Sequence, residues 1–124
     1  MNQFINLWFT KCAPCIEEMP TLNELQNAYK DQVEFISITF DDTAEVKRFL
    51  SKNKFEFQHI VNAKKFLNDD LKNREYPKNL IIDRTGTITY LRGSFPFTRN
   101  PENGEMAPVP SSFFKAPLEK ALAD

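Results

Sequence analysis

The feature that most restricts the fold is a junction near the start of the chain. Residues Phe4 to Phe9 are apolar at nearly every position, and the sequence Cys12-Ala13-Pro14-Cys15 follows almost at once. Such a run reads as a strand buried on both faces, as at the centre of a parallel sheet. Beyond the cysteines, Ile16, Met19, Leu22, Leu25 and Tyr29 recur every three or four residues, the period of an amphipathic helix. Pro20 lies inside that pattern and predicts a kink. The cysteine pair therefore sits where a buried strand ends and a helix begins.

The rest of the chain continues the alternation. Val33 to Phe40 is rich in β-branched and aromatic residues and reads as a second strand. Asp42 and Glu45 have capping-box spacing, which predicts a helix to about Ser51 that buries Val46, Phe49 and Leu50. Phe55 to Val61 is a short extended piece, and Asn62 is expected to cap a short helix carrying Phe66, Leu67 and Leu71. Pro77 introduces a strand from Asn79 to Asp83. Asp83 to Gly86 makes a turn, with glycine where a positive φ is cheap. Thr87 to Arg92 then returns as a hairpin partner. Phe95 to Ser111 contains Pro96, Pro101, Pro108 and Pro110 and reads as a long irregular loop. A last helix is expected from Ser111 or Ser112, with Phe114, Leu118 and Leu122 facing inward. The first two strands and their helix form a parallel crossover unit, and the hairpin adds an antiparallel half. The expectation is one α/β domain over residues 1–124, with a mixed central sheet flanked by helices.

Twelve phenylalanines in 124 residues are enough for a sizeable core. The net charge of −1 and the absence of a basic cluster argue against a nucleic-acid surface. No apolar run approaches the roughly 20 residues that span a bilayer. No secretory leader is read, and the abrupt start at a strand suggests a domain cut from a longer, secreted precursor.

Two cysteines three positions apart point to chemistry at one spot rather than to a disulfide scaffold. At a helix N-terminus, unpaired N–H groups and the positive end of the dipole stabilise an anion. A thiolate there has a lowered pKa, and the thiolate is the nucleophile. Cys12 is expected to be the more exposed and to attack; Cys15, one turn in, to be covered and to resolve. Pro14 in the first turn costs no hydrogen bond. Lys11 adds a positive charge beside Cys12. The chemistry implies no cofactor. Its partners are a disulfide-containing protein substrate and a dithiol donor that resets the pair. Two blander readings are a zinc half-site, which lacks ligands because His59 is the lone histidine, and a pair of inert core cysteines.

The segment N-L-W-F-T-K-C-A-P-C-I-E-E-M-P resembles the active-site segment of the TlpA-like thioredoxin-family disulfide reductases, and Y-P-K-N-L-I-I-D-R-T-G resembles their cis-proline strand and hairpin. The resemblance covers roughly residues 3 to 93 and implies a thioredoxin-like fold with Pro77 in cis beside the cysteines. Tyr76, the residue before it, would offer its backbone to a substrate strand. The resemblance also implies an acidic residue after the second strand. Asp41 falls closest to that position and is the candidate proton relay, although Asp41 and Asp42 also read as a helix opening. Glu17 and Glu18 match acidic positions of the pattern and read as first-turn surface charge. Trp8 matches an aromatic position and is read as core or rim.

The pattern's N-terminal hairpin is missing. An unpaired edge is therefore expected at the Phe4–Phe9 strand or its neighbours. Lys11 stands where thioredoxins often carry Trp. The function implied is reduction of protein disulfides outside the cytoplasm, in the periplasm or tethered to a membrane. The alternative is a non-catalytic module that docks extended peptides beside Pro77.

Overall fold

In the computed structural model, which describes residues 1–93, 97–99, 102–104, 106–108 and 112–123, β1 (Asn2–Leu7) is the middle strand of a five-stranded sheet. The others are β2 (Val33–Ile38), β3 (Gln58–Ile60), β4 (Lys78–Ile82) and β5 (Ile88–Gly93), in the spatial order β3-β2-β1-β4-β5. β2 lies parallel to β1 and β3 parallel to β2, whereas β4 returns antiparallel beside β1 and β5 beside β4. The mixed sheet is thus as expected, but its edges do not fall at β1 or at the strands beside it. β1 is paired on both sides, and among the described residues the outer strands are β3 and β5.

Among the described residues three α-helices accompany the sheet: α1 (Ala13–Tyr29), α2 (Thr43–Leu50) and α3 (Ser112–Ala123). α2 begins where the capping box put it, with the Asp42 side chain accepting the Glu45 N–H at 2.8 Å. Pro20 lies on the exposed side of α1, where its missing N–H withdraws one bond from the helix ladder.

One face of the sheet carries the main core. Phe4 of β1 meets Phe35, Phe57 and Phe114, the last at 5.8 Å and edge-on, which brings α3 onto this face. Met19, Leu22 and Leu25 of α1 pack into the same cluster. Fully burying one such aromatic or aliphatic side chain contributes about 1.5–3 kcal/mol. Trp8 is fully buried here, against Phe49 and Phe55, so it is core and not rim. The opposite face holds a smaller cluster of Leu7, Ile38 and Leu67.

Two segments differ from expectation. Asn62 does not cap a helix: it adopts φ +57° and its N–H donates to the Asp41 carbonyl. The following turn is π-helical from Phe66 to Asp70, with the Leu71 N–H reaching back to the Phe66 carbonyl. That wider turn swings Leu71 and Phe66 outward, 47% and 42% exposed, and leaves only Leu67 buried. Within the stretch read as irregular from Phe95 to Ser111, β6 (Phe97–Arg99) and β7 (Met106–Pro108) form an antiparallel ribbon. Phe95, Pro96, Pro101, Pro110 and Ser111 lie outside the described residues.

Candidate active site

The chain leaves β1, makes a short loop and enters α1 at the cysteine pair. Cys12 is the N-cap of α1, with extended backbone, and its Sγ accepts the Cys15 N–H at 3.2 Å. The two sulfurs are bonded to each other, with Cα atoms 5.2 Å apart. One of the helix's orphan N–H groups therefore already points at the sulfur of Cys12, where a thiolate would form on reduction. Ala13 and Pro14 are exposed above the pair. Cys12 itself is only 4% exposed, against 1% for Cys15. Cys12 is thus the more exposed of the two, as expected, but both are buried. As a cap, its side chain folds back over the first turn and into the cluster that contains Trp8 and Met19.

The loop is fastened from both ends. The Trp8 N–H donates to the Ile38 carbonyl, and the Cys12 N–H to the Phe9 carbonyl. The Thr10 N–H donates to Asp41 Oδ2 at 2.7 Å, and Thr39 Oγ1 donates to the same oxygen at 3.3 Å. The structure thus brings Asp41 to the loop before Cys12, where it holds backbone. Lys11 is exposed in the turn beside Cys12.

The Tyr76–Pro77 peptide bond is cis, and Pro77 is buried just before β4. Leu7 pairs with Lys78, which places Pro77 at the end of the sheet from which the chain runs to Cys12. Phe9, Phe40 and Tyr76 meet there as a triangle of rings, with centroids 5.3, 5.4 and 5.8 Å apart.

One group was missed by the reading of the sequence. Glu18 is 2% exposed and is not surface charge, whereas Glu17 is exposed. Because α1 begins at Ala13, both acids lie beyond its first turn and gain little from the dipole. Asn6 Nδ2 donates to Glu18 Oε1 at 2.9 Å, and Asn79 Nδ2 donates to Oε2 at 3.3 Å. Burial raises the Glu18 pKa to about 7, with the bonds from Asn79 and Asn6 pulling the other way. A signal for it existed. Cys15, Glu18, Leu22 and Leu25 are spaced 3, 4 and 3 apart, so the buried stripe of α1 runs through Glu18 to Cys15.

His59 is part-buried and bonded through both ring nitrogens. Its Nε2–H donates to the Phe55 carbonyl at 2.9 Å, which leaves Nδ1 to accept the Ser37 hydroxyl at 2.5 Å. Among the described residues no helix is long and apolar enough to cross a membrane.

Comparison with known proteins agrees with this geometry. The model of the AhpC/TSA family matches residues 3–91. The chain is 31% identical over 88 residues to the thioredoxin-like protein YneN of Bacillus subtilis (strain 168), covering 68% of this chain and 51% of that protein. It is 32% identical over 87 residues to the thiol-disulfide oxidoreductase ResA of Bacillus thuringiensis (strain Al Hakam), covering 68% of this chain and 50% of ResA. It thus spans about half the length of the curated relatives it matches. Among solved structures it resembles a thiol:disulfide interchange protein DsbE from Chlorobium tepidum, with a TM-score of 0.76 at 21% identity, covering 98% of this chain and 79% of that one. The fold is thioredoxin-like.

Proposed function

The chain belongs to the AhpC/TSA family, and from that premise we propose that it is a thiol–disulfide oxidoreductase that reduces protein disulfides through Cys12 and Cys15. The observation that carries the proposal is the Cys12–Cys15 disulfide at the N-terminus of α1, with the Cys15 N–H directed at Cys12 Sγ.

The reaction starts from the reduced pair. The Cys12 thiolate attacks one sulfur of the substrate disulfide, forms a mixed disulfide and expels the other sulfur as a thiolate. Cys15 then gives up its proton, attacks Cys12 Sγ and releases the second substrate sulfur. The protein is left as the Cys12–Cys15 disulfide, two electrons have passed to the substrate, and an external dithiol resets the pair. Glu18 is assigned as the acceptor of the Cys15 proton. It lies one helical turn away on the same buried stripe, and its carboxyl titrates near neutral pH. The proton it takes is available to the departing thiolate.

Tyr76 and Pro77 are assigned to hold the substrate strand, on the strength of their place at the sheet end next to the cysteines. Lys11 is assigned to favour the Cys12 thiolate. Asp41 is assigned to position the loop that carries Cys12, in place of the proton relay expected from the sequence. The site of action is proposed to be extracytoplasmic, on the TlpA-like sequence pattern.

The test is turnover of a disulfide-bonded protein substrate with a dithiol as reductant. Cys12→Ser should abolish it in a folded protein. Cys15→Ser should stall at a mixed disulfide that mass spectrometry detects. Turnover that survives Cys12→Ser would refute the mechanism, and retained peptide binding without any turnover in the parent would favour the docking module. A reduction potential near or below about −220 mV supports a reductase, and one near about −120 mV an oxidant.

A further inference from the structure

Asn6 and Asn79 are two polar residues on buried strands, only 1% and 4% exposed. They face each other directly across the β1–β4 ladder. Buried amides need partners, and these two find them in each other and in Glu18. One N–H of Asn6 goes to Glu18 Oε1 at 2.9 Å and the other to Asn79 Oδ1 at 2.8 Å. That second bond fixes the plane of the Asn79 amide, which turns its own Nδ2 toward the carboxyl, 3.3 Å from Oε2 and 3.4 Å from Oε1. Every polar contact on Glu18 from the two strands is therefore a donor. Such a set of donors suits a carboxylate better than a carboxylic acid.

The surroundings reinforce the role of the amides. Across the sheet, Asn79 pairs with Arg92 on β5, and Asn6 pairs with Ser37, which is bonded to His59 on β3. Tyr90 on β5 lies close enough to feel the charge of Glu18 and of Arg92. Among the described residues Asn6 and Asn79 supply the hydrogen bonds to the Glu18 carboxyl, and both lower its pKa.

We propose that Asn6 and Asn79 are positioning residues of the reaction, which hold the Glu18 carboxylate in the orientation and charge state that accept the Cys15 proton. This rests on the assignment of Glu18 as that acceptor. Burial favours the protonated form of Glu18, and the two amides, fixed by the sheet and not by the helix, favour the carboxylate.

The test uses the full chain, reduced, with glutathione disulfide as oxidant. Two quantities are followed against pH: the ionisation of Glu18, by carbon NMR of labelled glutamate carboxyls with Glu18→Gln for assignment, and the rate at which Cys15 resolves the Cys12 mixed disulfide. Asn79→Leu should move the Glu18 titration upward by about one pH unit, the size of one lost hydrogen bond to a charged group. The acid limb of the resolution rate should move with it. In a Glu18→Gln background the same substitution should leave the limb where it is. Asn6→Ser carries the same expectation, so the test survives if one variant does not fold. An unmoved titration in the folded variants overturns the proposal, as does an equal shift of the limb in the Glu18→Gln background. A limb unchanged by Glu18→Gln alone overturns instead the assignment of Glu18 as base.

Discussion

The carboxylate of Asp41 accepts the backbone N–H of Thr10 at 2.7 Å, so the end of β2 holds the loop that delivers Cys12. A hydrogen bond from a buried N–H to a charged group contributes about 1.5–3 kcal/mol. Asp41→Ala should therefore lower stability by about that amount and slow attack by Cys12. Asp41→Asn keeps an acceptor oxygen and should restore most of both. If Asp41 moved the proton instead, Asn would be as damaging to the rate as Ala while sparing stability. Chemical unfolding and single-turnover rates on the two variants separate these roles.

The raised pKa of Glu18 has a signature in stability. Between its ordinary 4.5 and about 7, the folded chain holds a proton that the unfolded chain has released. Stability should then fall as pH rises through that window, by roughly 3 kcal/mol in all, and level off above it. Glu18→Gln removes this slope. The difference between parent and variant in urea midpoints at pH 5 and pH 8 should show the variant gaining with pH. A difference that does not change with pH would mean that the carboxyl titrates normally in the fold.

His59 acts in the opposite direction. Burial lowers its pKa from 6.5, so the fold prefers the neutral ring that accepts from Ser37 and donates to Phe55. The unfolded chain binds the proton first as pH falls below 6.5, and stability is lost there. His59→Gln should be less stable than the parent at pH 7.5 and should lose less on going to pH 5. Thermal melts at the two pH values measure this.

Phe4 is fully buried at the meeting point of Phe35, Phe57 and Phe114. Phe4→Ala should cost about 3–5 kcal/mol. Phe4→Leu keeps most of the volume and should cost less than half as much. Equilibrium unfolding of both checks the ranking.

Much of this molecule is legible in the sequence where local rules and burial agree. The run from Phe4 to Phe9, the spacing of Met19, Leu22 and Leu25, and the Asp42 cap each specify their elements, and the cysteine pair falls where a strand meets a helix. What escapes is set by tertiary context. Glu18 looks like surface charge until Asn6 and Asn79 arrive from two strands that are 73 residues apart in the chain. Asn62 has the composition of a cap, but bonds to Thr39 and Asp41 claim the backbone around it and delay the next turn. Proline content between Phe95 and Ser111 argues against regular structure, yet β6 and β7 are short and pair all the same, with Pro108 at the end of β7 opposite Phe97. The depth of Cys12 depends on packing around Trp8, which spacing does not encode.

That depth separates two properties of a redox couple that are usually treated as one. Potential is an equilibrium quantity and is blind to access, whereas exchange requires a sulfur to line up behind the bond it breaks. With Cys12 and Cys15 this covered in the disulfide, small thiols diffusing past should reduce it slowly whatever its potential. A protein partner that binds the exposed Ala13–Pro14 rim and draws the first turn open would trade quickly. Such a cover would make the oxidised couple a private line, shielded from the bulk thiol pool and opened by docking.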